Sequence, residues 1–119
     1  MSPVIVPATS ALLERYYGHR PPWTVHRAFA AVYEGEPICI GGAFRHGERF
    51  VAFADVRPIM RERFVKTGIR LAHRVLEAYR EMGVPLYALA DCKVEPARRF
   101  LEHIGFKPLA EEGVYAWRA

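Results

Sequence analysis

Apolar and polar positions follow two periods along this chain. A short apolar run at 4–6 predicts a strand. The Pro-Ala-Thr-Ser stretch at 7–10 then opens a helix, with Thr9 or Ser10 as its cap, carrying Leu12, Leu13 and Tyr16 to a stop at Gly18. Pro21 and Pro22 make the next stretch a loop, because proline disfavours a helical residue before it and has no N–H to donate. From Thr24 the period shortens. Strands are predicted over 25–33, 38–44 and 50–56, with turns at 34–37 and 45–48. Turns this short join antiparallel neighbours, so the three strands form a meander. The strands are apolar on both faces for much of their length, which predicts helices on both sides of the sheet.

Beyond Pro58 the period lengthens to that of a helix. Ile69, Ala72, Val75, Leu76, Tyr79 and Met82 recur on one side, while Arg70, Arg74, Glu77 and Glu81 face away. This longest helix is expected over 65–82, ended by Gly83 and Pro85, with Ala72, Val75, Leu76 and Tyr79 buried. An apolar strand follows at 85–90. Strand, crossover helix and strand make a parallel pair in an otherwise antiparallel sheet. Pro96 fits the first turn of a last helix over 96–104, packed inward by Leu101 and Ile104. A hairpin of 106–110 and 114–118 closes the chain across Glu111-Glu112-Gly113. The fold class is α+β, with a mixed, mainly antiparallel sheet.

A length of 119 residues gives one domain, 1–119, large enough to bury a core without metal or disulfide. No apolar run is long enough for a membrane span, and the N-terminus lacks the basic start of a signal peptide, so a cytoplasmic protein is expected. Cys39 and Cys92 are far apart and read as reduced, buried thiols. The histidines at 19, 26, 46, 73 and 103 show no HxxxH or HExxH spacing, so the residues predict no metal site. The net charge of +4 favours an anionic partner, and its distribution is uneven. Arg57, Arg61, Arg63, Lys66, Arg70 and Arg74 crowd one stretch against a single acid, Glu62. That patch lacks the interleaved aromatics of a single-strand platform and no recognition-helix motif accompanies it, so nucleic acid is not the expected partner.

The basic stretch coincides with the predicted start of a helix, where unsatisfied N–H groups and a partial positive charge attract phosphate. The element order of the second half, with Ile104-Gly105-Phe106 after the last helix, resembles the GNAT acyltransferase superfamily. That resemblance implies a GNAT-like fold in which the two parallel strands splay apart. It also implies acetyl-CoA as cofactor, an amine acceptor as partner, and N-acyl transfer as the activity. The family's Arg-Gly-x-Gly-x-Gly loop maps onto Arg63-Phe64-Val65-Lys66-Thr67-Gly68. Arg63 and Gly68 match, while Phe64 and Lys66 stand at the other glycine positions. The implied cofactor-binding residues are Arg61, Arg63, Lys66, Thr67 and Gly68. Phe64 puts a ring where the diphosphate would lie.

The family's asparagine before the last helix and its tyrosine four residues before the Gly-Phe fall on Val94 and Leu101. Cys92 and Tyr115 are substitute catalytic candidates at this end of the chain, as are Tyr87 and His103. Each also fits a plain packing or surface role. Asp55, a lone acid in an apolar strand, is the candidate base, since burial disfavours its charged form. It also fits a strand end bonded to a loop. Compared with the superfamily, one helix rather than two separates the first and second strands. Gly35-x-Pro37-x-x-Ile40-Gly41-Gly42 together with Arg99-Phe100-Leu101-x-x-Ile104-Gly105 resembles the small GNAT-like proteins of tailed bacteriophages, including an internal virion protein. This narrower resemblance implies a second reading: a non-enzymatic phage or prophage protein, located in the virion, whose partner is a phage or host protein.

Overall fold

A computed structural model describes residues 2–20, 25–90 and 95–118; Cys92 and Val94 fall outside them. The elements are β1 (Val4–Pro7), α1 (Ser10–Tyr17), β2 (Val25–Tyr33), β3 (Glu36–His46), β4 (Arg49–Val56), α2 (Pro58–Arg63), α3 (Val65–Met82), β5 (Leu86–Leu89), α4 (Glu95–His103), β6 (Lys107–Pro108) and β7 (Val114–Trp117). Thr9 is the cap of α1: its Oγ1 accepts the Leu12 N–H at 3.2 Å, and Gly18 ends the helix in the left-handed region. Gly83 ends α3 in the same way.

The strands run β1-β2-β3-β4-β5-β7-β6 across one sheet. Among the described strands only β4 and β5 pair in parallel. The expected meander is present, and β1 adds a fourth antiparallel strand to it through the Val4↔Val32 to Pro7↔Phe29 register. Several expected boundaries move: the first strand of the closing hairpin, expected over 106–110, is Lys107–Pro108, and β5 is Leu86–Leu89 rather than 85–90. The turns shrink to Glu34-Gly35 and Gly47-Glu48, so β3 runs eleven residues rather than seven. Ladder hydrogen bonds and cross-strand packing hold the polar ends Glu36, Arg45 and His46 in the strand despite their weak strand propensity. Separately, the segment from Pro58 is two helices, because the chain breaks direction at Phe64 (φ −131°, ψ 41°).

Helices cover both faces. The larger core packs Leu71, Val75, Leu76 and Tyr79 of α3 against Cys39, Ala43, Leu86, Ala88, Tyr115 and Trp117, with Ile104 closing it from the end of α4. The smaller core sets Leu13 of α1 on Ala30 and Ile40. Ala72 is half-buried rather than buried, and Leu71, four residues before Val75, takes the inner position beside the sheet. Gly41 makes that approach possible. A Cβ there would lie 2.4 Å from Leu71 Cδ2, well inside contact distance. No described helix is long and apolar enough to cross a membrane.

Candidate functional site

β4 and β5 share only two register pairs, Phe50↔Leu86 and Val51↔Tyr87. Beyond them β4 stays with β3, as far as the Arg57 N–H donating to the Ile38 carbonyl at 3.0 Å. β5 stays with β7 as far as Leu89↔Val114. The strands therefore part toward their C-terminal ends. The register between β4 and β5 ends at Val51↔Tyr87, and beyond it 52–56 and 88–89 are no longer paired with each other. Leu89 stands 71% exposed there.

The start of α3 lies at this same end, because a helix joining parallel strands runs back against them. Phe64 is the N-cap and supplies no side-chain acceptor; its own N–H donates to the Met60 carbonyl at 2.9 Å, and the Thr67 N–H donates to the Phe64 carbonyl at 3.0 Å. Around it lies a shallow hollow of about 350 Å³ whose walls include Arg63, Phe64, Lys66, Thr67 and Arg70, with Glu62 as the one acid. Thr67 is buried, and its Oγ1 accepts from Arg70 Nη2 at 3.2 Å. The Phe64 ring packs on Tyr33 at 4.9 Å and against the larger core. The Arg63 guanidinium lies over both rings, 5.1 Å from Phe64 and 5.6 Å from Tyr33. Phe64 thus forms a wall of the hollow and a platform for an arginine, where the sequence suggested only an obstruction.

A second cluster joins the end of β4 to the last turn of α1. Asp55, half-buried, faces the α1 side beside its cross-strand partner Ile40. The Tyr17 hydroxyl donates to Asp55 Oδ2. Burial, then that hydrogen bond, push the Tyr17 phenol well above its ordinary range, so it stays a protonated donor. Arg57 Nη2 donates to the Tyr16 carbonyl at 2.8 Å, and its guanidinium lies 4.5 Å from the Tyr16 ring centre. Burial raises the Tyr16 phenol to about 12, with Arg57 the main influence the other way.

Solved structures with this architecture span nearly the whole chain. The ribosomal-protein-S18-alanine N-acetyltransferase of Escherichia coli superposes with a TM-score of 0.74 at 15% identity, covering 98% of this chain and 93% of that one. YhhK of E. coli, named as an N-acetyltransferase and bound to coenzyme A, gives 0.65 at 16% identity, with 100% of each chain covered. An acetyltransferase of the GNAT family from Staphylococcus aureus gives 0.68 at 12% identity, covering 98% and 99%. No family model matches the sequence, and no curated protein matches it. The fold is the GNAT fold. Its splayed parallel pair and the helix start beside it are the features described above.

Within the GNAT fold the sequence-predicted residues fall into separate places. Arg63, Lys66 and Thr67 line the hollow together with Arg70, which the loop pattern does not include. Arg70 was legible by another signal, since it belongs to the basic run between 57 and 74 and lies one helical turn beyond Lys66 on α3. Arg61 is not among the residues lining the hollow; its charge is felt at Tyr16, on the α1 side. Gly68 faces Met60 of α2, and a Cβ there would sit 3.4 Å from Met60 Cε. Tyr115 is 5% exposed, inside the larger core with Tyr79 and Trp117, and does not meet Asp55. Cys92 lies outside the described residues. Leu101 packs against the larger core. The Gly105-Phe106 landmark has a physical basis. Gly105 takes φ 106°, and Trp117 Cδ1 would lie 3.3 Å from a Cβ there.

Proposed function

We propose that this protein is an acyl-CoA-dependent N-acyltransferase. In this reading the acyl donor's extended arm lies in the gap between β4 and β5, and its phosphates sit at the start of α3. The observation that carries it is the parting of β4 from β5 beyond Val51↔Tyr87, at the same end as the basic hollow. The residues present fit that donor. Two parallel strands that part after two register pairs suit an extended, amide-bearing chain lying between them. Arg63, Lys66 and Arg70 supply charge-assisted hydrogen bonds to phosphate in place of a glycine loop's backbone N–H groups. Asp55 is the base. It takes one ammonium proton, the amine nitrogen bonds to the acyl carbon, the carbon–sulfur bond breaks, and the second proton leaves the nitrogen through water to the departing thiolate.

Isothermal titration of acetyl-CoA tests the binding half, and acyl transfer to an amine panel tests the chemistry. Wild type is expected to bind, with Lys66→Ala weaker by about 10-fold, the low end of a charged hydrogen bond's worth. Asp55→Asn is expected to lower kcat/KM by about 10²- to 10⁴-fold with acetyl-CoA binding unchanged. No heat and no thermal shift at millimolar acetyl-CoA rejects the proposal. The second reading is a non-enzymatic phage or host-interaction protein on the same scaffold. One observation favours it: Leu101, half-buried against the larger core, stands where the superfamily's tyrosine would protonate the leaving group. Acetyl-CoA binding without turnover on any amine supports that second reading.

A further inference from the structure

Asp55 and Arg57 are two residues apart on extended backbone, so their Cα atoms lie about 6.7 Å apart and their side chains share a face. Both reach the same turn of α1: Asp55 accepts from the Tyr17 hydroxyl, and Arg57 is seated on the ring and carbonyl of Tyr16. Despite this, the two charges form no ion pair with each other among the described residues. Each is held in place by a tyrosine and keeps capacity for another partner. Asp55 has a second carboxylate oxygen, and the Arg57 fork has donors beyond the one given to Tyr16. A negative and a positive group fixed side by side, neither neutralising the other, form a receptor for a zwitterion.

We infer that the acceptor is a free α-amino acid, its ammonium on Asp55 and its carboxylate on Arg57. The inference rests on the acyltransferase reading for what then happens to the amine, but not for the binding itself. Amine and carboxylate of an α-amino acid are separated by one carbon. A charge-assisted hydrogen bond of about 2.8 Å at each end lets the molecule bridge two side chains that leave next-but-one positions on one strand face. Arg61, one helical turn beyond Arg57 and also felt at Tyr16, leaves the corner with more positive than negative charge. That balance disfavours polyamines and lysine-rich peptides and favours an acceptor that brings its own carboxylate. A peptide N-terminus offers the ammonium but no carboxylate at that spacing, so Arg57 discriminates against it.

The test uses ligand-observed NMR on the full chain, with and without millimolar coenzyme A, taking each standard L-amino acid in turn. At least one free amino acid is expected to show saturation transfer. Its methyl ester, which mimics a peptide N-terminus, and its N-acetyl form are each expected to bind at least about 10-fold more weakly. Arg57→Gln and Asp55→Asn are expected to lose a similar factor, and Arg57→Lys to keep part of it, since an ammonium retains charge but not the fork. Because the blocked ligands are compared on wild type, an unstable Arg57 variant does not remove the test. Methyl esters binding as tightly as free amino acids, or no amino acid binding in either condition, overturns the inference. Titrating acetyl-CoA separately tells the two proposals apart. Amino-acid binding without acetyl-CoA binding keeps this site and sinks acyl transfer; the converse sinks this site alone.

Discussion

Replacing Gly68 with alanine separates two roles that one glycine could have. In a glycine loop it would be there for close phosphate approach. Here Gly68 sits in the first turn of α3, and its φ is not in the left-handed region. A Cβ would stand 3.4 Å from Met60 Cε, the flexible end of a side chain, at ordinary contact distance. Nothing in the backbone or the packing requires glycine. Alanine is better than glycine in a helix interior by about 0.8–1.0 kcal/mol, less near a terminus, and it also narrows the unfolded ensemble. The expected gain is therefore about 0.5–1 kcal/mol. Urea unfolding should show a higher midpoint with unchanged slope, and Tm should rise by about 2–5 °C. Acetyl-CoA affinity should stay within about twofold, because Gly68 is turned to α2 and does not line the hollow. A stability loss above about 0.5 kcal/mol would refute the packing argument. A tenfold loss of affinity in a stable Gly68→Ala protein would put the phosphates against this glycine rather than in the hollow.

Gly41→Ala should act in the opposite direction, costing about 1–3 kcal/mol by denaturant unfolding, since Leu71 is 2% exposed and has little room to move from a Cβ at 2.4 Å. Leu76→Ala should cost about 2–5 kcal/mol in the same assay, and a loss below about 0.5 would mean the inner face of α3 is misassigned. Stability should be flat near neutrality and fall as pH rises from about 9 toward 12, read as Tm against pH. Burial raises Cys39 from 9.0 to about 12 and Tyr79 from 10.0 to about 12, so the folded state holds these protons more tightly and loses that advantage as they titrate. Acetyl-CoA affinity should fall with added salt, with a shallower slope in Lys66→Ala, because side-chain charges at an exposed hollow are screened.

The strands and α3 were legible because each carries a clear period and a chemical stop. The break at Phe64 was not. Phe64 packs on Tyr33, 31 positions earlier, and nothing local marks Phe64 as a cap. The basic corner was readable from charge spacing, down to Arg63 and Lys66. Asp55 stood out as a lone acid, but Tyr17 and Arg57 did not stand out beside it. Their partners lie 38 and 41 positions away, and α1 reaches them only after the sheet has formed. Gly68 matched a motif position, and in the structure it faces Met60 of α2. The match carried information about where the helix begins and none about which way the glycine faces.

The opening between β4 and β5 also bears on which reading of the scaffold is physically economical. Closing the seam would extend the parallel ladder beyond Val51↔Tyr87, and each added backbone hydrogen bond is worth about 0.5–1.5 kcal/mol net. It would also shelter Leu89, whose full burial is worth about 1.5–3 kcal/mol. Leaving it open forgoes several kcal/mol in a domain of a size whose total stability is commonly about 5–15. It also leaves two strand edges apart, and separated strand edges invite association with other chains. A protein needing only a rigid body for assembly gains nothing from such a seam. A protein that takes an extended ligand between the strands recovers the missing hydrogen bonds on binding. The seam and the basic hollow lie at one end of the sheet, so a single ligand with a chain and a phosphate cluster satisfies both.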